Sequence, residues 1–328
     1  MAVPHLYNRG WMSARTPGRL LRLRHALEYA AVAALAVVLK ALPRRLALAL
    51  GAAIGQLGWW ARIRRRLVLA NLARALPEAA DAERRRVGAR AARNFGRTVA
   101  EFLRFAGADR ERVLELVEIE GLDVLREALA EGRGAVVVTG HLGAWALYVT
   151  ALGAAGIPSA LLVGVQTNRR VDELILSIPG GAVQFISKAK TAPREILKAL
   201  RANKAIVMVA DHYSSDQQVY VPFLGHPAFT LPLPGSLVAR HRLPLLAMAG
   251  HRTSGGRHRL ELGRIELPAA GDVDALRLEV AARFNQRLGE AVLRHPDQYF
   301  WYHGRWKVRP RESPPRLVAV TRSPRPRS

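Results

Sequence analysis

The chain contains no cysteine. That excludes disulfides, thiol nucleophiles and thiolate metal sites together, while leaving the redox compartment undetermined. Acids are scarce as well: 26 Asp and Glu stand against 50 Lys and Arg, a net charge of +24. Such an excess calls for an anionic partner, whether nucleic acid, anionic lipid or an acidic substrate. The sequence has no basic stripe interleaved with aromatics and no recognisable nucleic-acid module, so no nucleic-acid partner is expected. It also lacks a G-x-S-x-G nucleophile elbow and a G-x-x-x-x-G-K phosphate loop. No pair of histidines stands at metal spacing near an acid, so no metal site is expected. His251 and His258 flank a "TSGGR" turn and read as exposed.

What is abundant is apolar surface. Half of the 328 residues are hydrophobic, far too many for a disordered chain and enough for a large core. Residues 1–19 carry turn formers without a period and read as a flexible leader; they lack the small-residue cleavage site of a signal peptide. Residues 20–110 read as a helical, membrane-associating region. Two apolar stretches lie there, Tyr29 to Leu39 and Leu46 to Trp60, with arginines on their flanks and Pro43 between them. Each falls short of the roughly 20 residues that span a bilayer. An interfacial helix pair fits best, with Trp59 and Trp60 at headgroup level and arginines on the phosphates of anionic lipids. A buried helical hairpin and a marginal single span are the alternatives. Helix continues over residues 66–106, broken at Pro77, with Asp81 at the start of its second half.

From residue 111 to 310 the pattern alternates. "GAVVVTG", "SALLVGV", "GAVQFI", "AIVMVAD", "QVYVPFLG", "LPLLAMAGHR" and "HRLELGRIEL" read as strands. Most are separated by helical segments, and a long helix follows near Asp274 to Leu293. This is an α/β pattern: a mostly parallel central sheet flanked by helices. Residues 311–328, rich in Pro and Arg, read as a disordered basic tail.

In open α/β sheets, functional groups gather at the carboxyl ends of strands. His141 follows "AVVVTG" directly and Asp211 ends "AIVMVAD". Alone, each is as well explained by a loop or a turn cap; at one sheet edge they become a candidate pair.

Four segments, in order, resemble the bacterial lipid A biosynthesis acyltransferases, which transfer lauroyl or myristoyl groups within the lysophospholipid acyltransferase-like superfamily. They are "LEYAAVAALAVVLKALPRRLALALGAAIGQLGWW" with "RRRLVLANLARALPE", "GAVVVTGHLGAW", "VADHYSSDQQVYVPFLGHPAFT" and "HPDQYFWYHGRWKVRP". The resemblance covers roughly residues 20–312. It implies a helix-flanked α/β enzyme on the cytoplasmic face of the inner membrane, peripheral or single-pass. The implied reaction moves a fatty acyl group from acyl carrier protein or acyl-coenzyme A to a hydroxyl of a glycolipid acceptor, with no cofactor beyond the donor. The family's H-x-x-x-x-[ED] motif implies His141 as general base.

Here the sequence departs from the family. The motif's acid falls on Ala146, and the arginine that usually follows the strand "ALLVGV" is replaced by Gly164 and Val165. Arg169 or Arg170 is the candidate to fill that space. Thr230 sits in a loop whose prolines alter the usual spacing. Arg305 and Lys307 match the closing basic motif and are candidates for phosphate or carrier contact, or else belong to a closing element that packs Trp301 and Trp306 while its charges face solvent. Losing an orienting acid costs about 10⁴ in turnover in a serine protease triad. Three readings follow: a catalytically weak or inactive homologue that binds lipid or acyl donor; an enzyme whose acid comes from elsewhere, Asp211 being the candidate; or an alanine introduced to silence the enzyme.

Overall fold

The structure, a computed structural model, describes residues 18–104, 110–164, 167–176, 183–187, 191–211, 219–268 and 272–306. Lys307 and the leader and tail segments 1–17 and 311–328 lie outside them. Two helices open the described chain, α1 (Arg19–Ala41) and α2 (Arg44–Trp60), and Pro43 separates them. They are followed by α3 (Arg65–Ala75) and α4 (Asp81–Arg104). Then come α5 (Arg110–Leu116), β1 (Val117–Glu120), α6 (Leu122–Ala130), β2 (Ala135–Thr139) and α7 (Trp145–Ala154). The series continues with β3 (Ser159–Val163), α8 (Arg169–Leu176), β4 (Val183–Ser187), α9 (Ala192–Arg201) and β5 (Ala205–Val209). A hairpin of β6 (Val219–Phe223) and β7 (His226–Thr230) leads into α10 (Leu233–His241). The antiparallel pair β8 (Leu245–Arg252) and β9 (His258–Arg264) precedes α11 (Val273–Arg294), whose N-terminal amide at Ala275 is capped by Asp272.

Seven strands form one sheet in the order β1-β9-β8-β2-β5-β3-β4, mostly parallel as expected, with β8–β9 its antiparallel junction. β2 is buried at every position and β5 at all but the last, which is why both read as unbroken apolar runs rather than alternations. The buried apolar residues fall mainly into two clusters. One holds Val136, Val138, Ile206, Met208 and Phe284; the other holds Val137, Val207, Leu147 and Leu152. The alternation of neighbouring strand residues between the two clusters is that of a sheet covered on both faces.

The apolar N-terminal helices pack on the rest of the chain through small residues. A Cβ on Gly55 would stand 2.1 Å from the carbonyl oxygen of Ala92, and one on Gly96 1.9 Å from that of Gly51. Glycine at these positions lets α2 and α4 touch backbone to backbone. Trp59 corrects the expectation made for it: it is 5 % exposed and its indole lies against Gly88, whereas Trp60 is 66 % exposed. Adjacent helical residues point about 100° apart, so a tandem pair cannot share one face. Among the described residues no single helix is long and apolar enough to cross a membrane; α2 with α3 passes such a test only as a pair bent by 94°.

Candidate active site

The register of two parallel strands sets the site. Thr139 of β2 lies opposite Val209 of β5. The Ala210 N–H then donates to the Thr139 carbonyl at 2.9 Å, continuing the ladder one step past the strands. One residue further along each chain are His141 and Asp211, brought level at the carboxyl edge of the sheet. Nδ1 of His141 lies 2.7 Å from Oδ1 of Asp211, and the backbone N–H of His141 donates to Oδ2 at 2.9 Å. Gly140 makes this approach possible, since a Cβ there would come within 3.0 Å of Asp211 Oδ2 and 2.7 Å of the Leu288 methyl groups.

A third donor was not foreseen. The hydroxyl of Tyr299 donates to Asp211 Oδ2 at 3.0 Å. Tyr299 is held by a β-bridge to Leu142, and the next residue, Phe300, donates its N–H to the carbonyl of His141 at 2.9 Å. The segment after α11 therefore closes over the His141 loop. Its sequence lies inside the quoted closing motif, but nothing in the spacing ties it to His141. The same segment supplies the Phe300 and His303 rings, 5.9 and 4.6 Å from the imidazole, and Trp145 stands at 4.8 Å on the other chain segment.

Electrostatics fixes the protonation of this arrangement. Burial opposes a charge on Asp211, but the charge and hydrogen bond of His141, followed by the charges of Arg305 and His303, outweigh it and hold the carboxyl well below the usual carboxylate range. Burial and the neighbouring Asp211 charge push the Tyr299 hydroxyl well above its ordinary value, so it stays a neutral donor. An ionised Asp211 only accepts, so the imidazole carries its proton on Nδ1 and Nε2 becomes the basic nitrogen. The His141 side chain is 14 % exposed, against 0 % for Asp211. One group is reachable from outside and its partner is sealed.

The remaining expected residues are placed as follows. Ala146 lies in the first turn of α7, and the Nδ1 position that an orienting acid takes is occupied by Asp211. Thr230 is fully buried at the end of β7 and hydrogen-bonded to Asn285. Arg305, 3 % exposed, donates to Asn285 Oδ1 at 2.5 Å and lies 4.7 Å over the ring of Phe223. It acts on the site through its charge on Asp211. Arg169 and Arg170 open α8, apart from this cluster: Arg169 pairs with Glu173, and Arg170 lies 5.9 Å over Tyr29 of α1. Trp301 and Trp306 are buried as the packing reading of the closing element has them, but Arg305 corrects its other half: the guanidinium is buried on Asn285 and Phe223 instead of facing solvent. His258 reverses its expectation. It is 1 % exposed, with Nε2 3.0 Å from Glu101 and Nδ1 3.2 Å from the Tyr148 hydroxyl.

A mostly parallel sheet with a histidine–carboxylate pair at its carboxyl edge has its polar groups where open α/β sheets gather them. The bacterial lipid A biosynthesis acyltransferase family matches residues 16–308, and the chain belongs to that family. It is accordingly an acyltransferase of the lipid A type in the general sense. No curated protein matches it individually.

Proposed function

We propose that the protein transfers a fatty acyl group from the thioester of acyl carrier protein or coenzyme A to a hydroxyl of a lipid-linked sugar. In this reading Nε2 of His141 removes the acceptor hydroxyl proton as that oxygen attacks the thioester carbonyl. The tetrahedral intermediate collapses by breaking the C–S bond, and the imidazolium returns its proton to the departing thiolate, giving ester and thiol. Asp211 holds the ring in the required tautomer and offsets the charge that develops on it. The observation that carries the proposal is the 2.7 Å contact between His141 Nδ1 and Asp211 Oδ1, which supplies the function of the acid missing at Ala146.

The reaction is assigned to the cytoplasmic face of the inner membrane, with anionic lipid as the surface. Its support is the row of exposed apolar residues on α1 and α2, among them Leu23, Leu27, Leu57 and Trp60, beside the arginines of both helices. Ala146 favours a second reading, a weak or inactive homologue that retains lipid or donor binding. Transfer of labelled acyl chains from acyl carrier protein to total membrane lipid, by the protein and by His141→Ala, separates the two. Transfer lost in His141→Ala supports the enzyme; equal signals from both proteins, or none from either when folded, reject it.

A further inference from the structure

Helix α4 lies along the other side of the His141 loop and carries a cluster that proton transfer does not use. The Thr98 hydroxyl donates to the carbonyl of Gly143 at 3.2 Å, and the Phe95 ring lies 4.5 Å from that of Phe300. On the same helix, Glu101 is fully buried. Its carboxylate meets Arg44 at 2.7 Å, His258 at 3.0 Å and also Arg252. Arg252 in turn is tied to the His141 loop. The Gln298 side chain bonds both its backbone N–H and its carbonyl, at 2.7 and 2.9 Å, while the Gln298 carbonyl accepts from Gly143 N–H at 3.0 Å.

Charge in this cluster is out of balance. Arg44, Arg97 and Arg252 stand around the buried carboxylate of Glu101, and Asp297 beyond them is already engaged by Asn94 and Arg90. The Arg252 side chain is 8 % exposed, yet its Nε and Nη1 are buried with no hydrogen-bond partner among the described residues; Arg44 Nε is in the same state. A buried donor without an acceptor is costly, and natural proteins leave few. Arg97, half-buried, has one nitrogen 2.8 Å from Asn94 Oδ1, and burial together with repulsion from Arg252 and Arg93 holds its guanidinium below the usual value. Arg305 has unsatisfied nitrogens too, but its charge is answered by Asp211. Arg252 has Glu101 as its counter-charge, but that one carboxylate is shared with Arg44 and His258.

We propose that Arg97 and Arg252 form a subsite for a phosphate ester of a substrate, placed beside the His141 loop. Planar guanidinium forks match tetrahedral phosphate oxygens, and paired arginines in a half-desolvated site bind them more tightly than a diffuse basic surface does. The subsite rests on the acyl-transfer reading only for the source of that phosphate, which is either the phosphate-bearing arm of the thioester donor or a phosphate on the lipid acceptor.

Binding is tested directly with the full-length protein and monododecyl phosphate as probe. Arg97→Gln and Arg252→Gln are compared with Arg194→Gln, which removes the same charge from an exposed position on α9. The expected result is a fall in affinity of about tenfold or more in the first two, matching one lost charge-assisted pair, and no change in the third. Unchanged affinity in Arg97→Gln, or an equal fall in Arg194→Gln, overturns the proposal; since Arg252→Gln strips a partner from Glu101, Arg97→Gln decides the matter if that variant fails to fold. Kinetics then locates the phosphate. A rise in KM for acyl-coenzyme A but not for the phosphate-free acyl-N-acetylcysteamine thioester places it on the donor. A rise in KM for a phosphorylated acceptor with both donors places it on the lipid; either result supports the subsite. Probe binding that depends on Arg97 in a protein without His141-dependent transfer would reject the acyl-transfer reading and leave the subsite standing.

Discussion

The hydroxyl of Tyr299 donates to the carboxylate of Asp211 from 88 residues further along the chain, at 3.0 Å. Asp211 is thereby given three donors, two of them from His141, and its orientation does not depend on the imidazole alone. Tyr299→Phe keeps the ring and removes one charge-assisted bond, worth about 1.5–3 kcal/mol. It is expected to lower kcat about tenfold or more with little change in KM, measured as acyl transfer at saturating donor.

Asp211→Asn tests the relay itself. The amide keeps the volume but can present its NH₂ to Nδ1, which selects the wrong tautomer. Turnover is expected to fall by about 10⁴, as for the equivalent change in a serine protease triad, with the unfolding midpoint monitored to separate this from lost stability. Ala146→Glu is expected to leave kcat within about tenfold of the parent, because the Nδ1 position is already filled. A large gain in that variant would return the role of the acid to position 146.

Glu101 gives the protein an acid-sensitive element. Burial opposes its charge, but the His258 hydrogen bond and the Arg252 charge outweigh it and bring the carboxyl from an ordinary 4.5 to about 2. The folded value lies below the unfolded one, so as pH falls the unfolded chain takes up the proton first. The stabilisation is complete above pH 4.5 and is lost as pH falls towards 2. Glu101→Gln is expected to cost about 3–5 kcal/mol at neutral pH, the usual loss on breaking a buried ion pair from one side. Across the same acid range its unfolding midpoint is expected to fall less steeply than the parent's.

The tandem tryptophans separate packing from surface. Trp59→Ala is expected to destabilise by about 3–5 kcal/mol, as large-to-small changes in a core do. Trp60→Ala is expected to leave the unfolding midpoint in place and to weaken flotation with anionic vesicles. Equal flotation of Trp60→Ala and parent would count against an interfacial role for that end of α2.

The parts of this fold that could be read in the sequence are those whose neighbours are uniform. β2 and β5 are enclosed on both faces, so their apolar runs were visible, and so were the polar residues that end them. β1, "VEIE", is a short edge strand with alternating acids, and β7, "HPAFT", begins with His-Pro; neither has the β-branched density of a central strand. α10 was hidden by Pro232 and Pro234, which in fact occupy its cap and first turn, where proline is tolerated. His258 and Tyr299 could not be assigned because their partners, Glu101 and Asp211, are 157 and 88 residues away. Distance along the chain hides a contact that periodicity cannot restore.

The order in which the site's parts leave the ribosome follows from the same separations. His141 emerges 70 residues before its carboxylate and well over a hundred before the hydroxyl and amide of Tyr299 and Phe300 that close on it. Until those residues have been added, a nascent chain carries the imidazole without all the groups that hold it. The pair is closed over only by the last strapping segment, whatever the early helices have packed against by then.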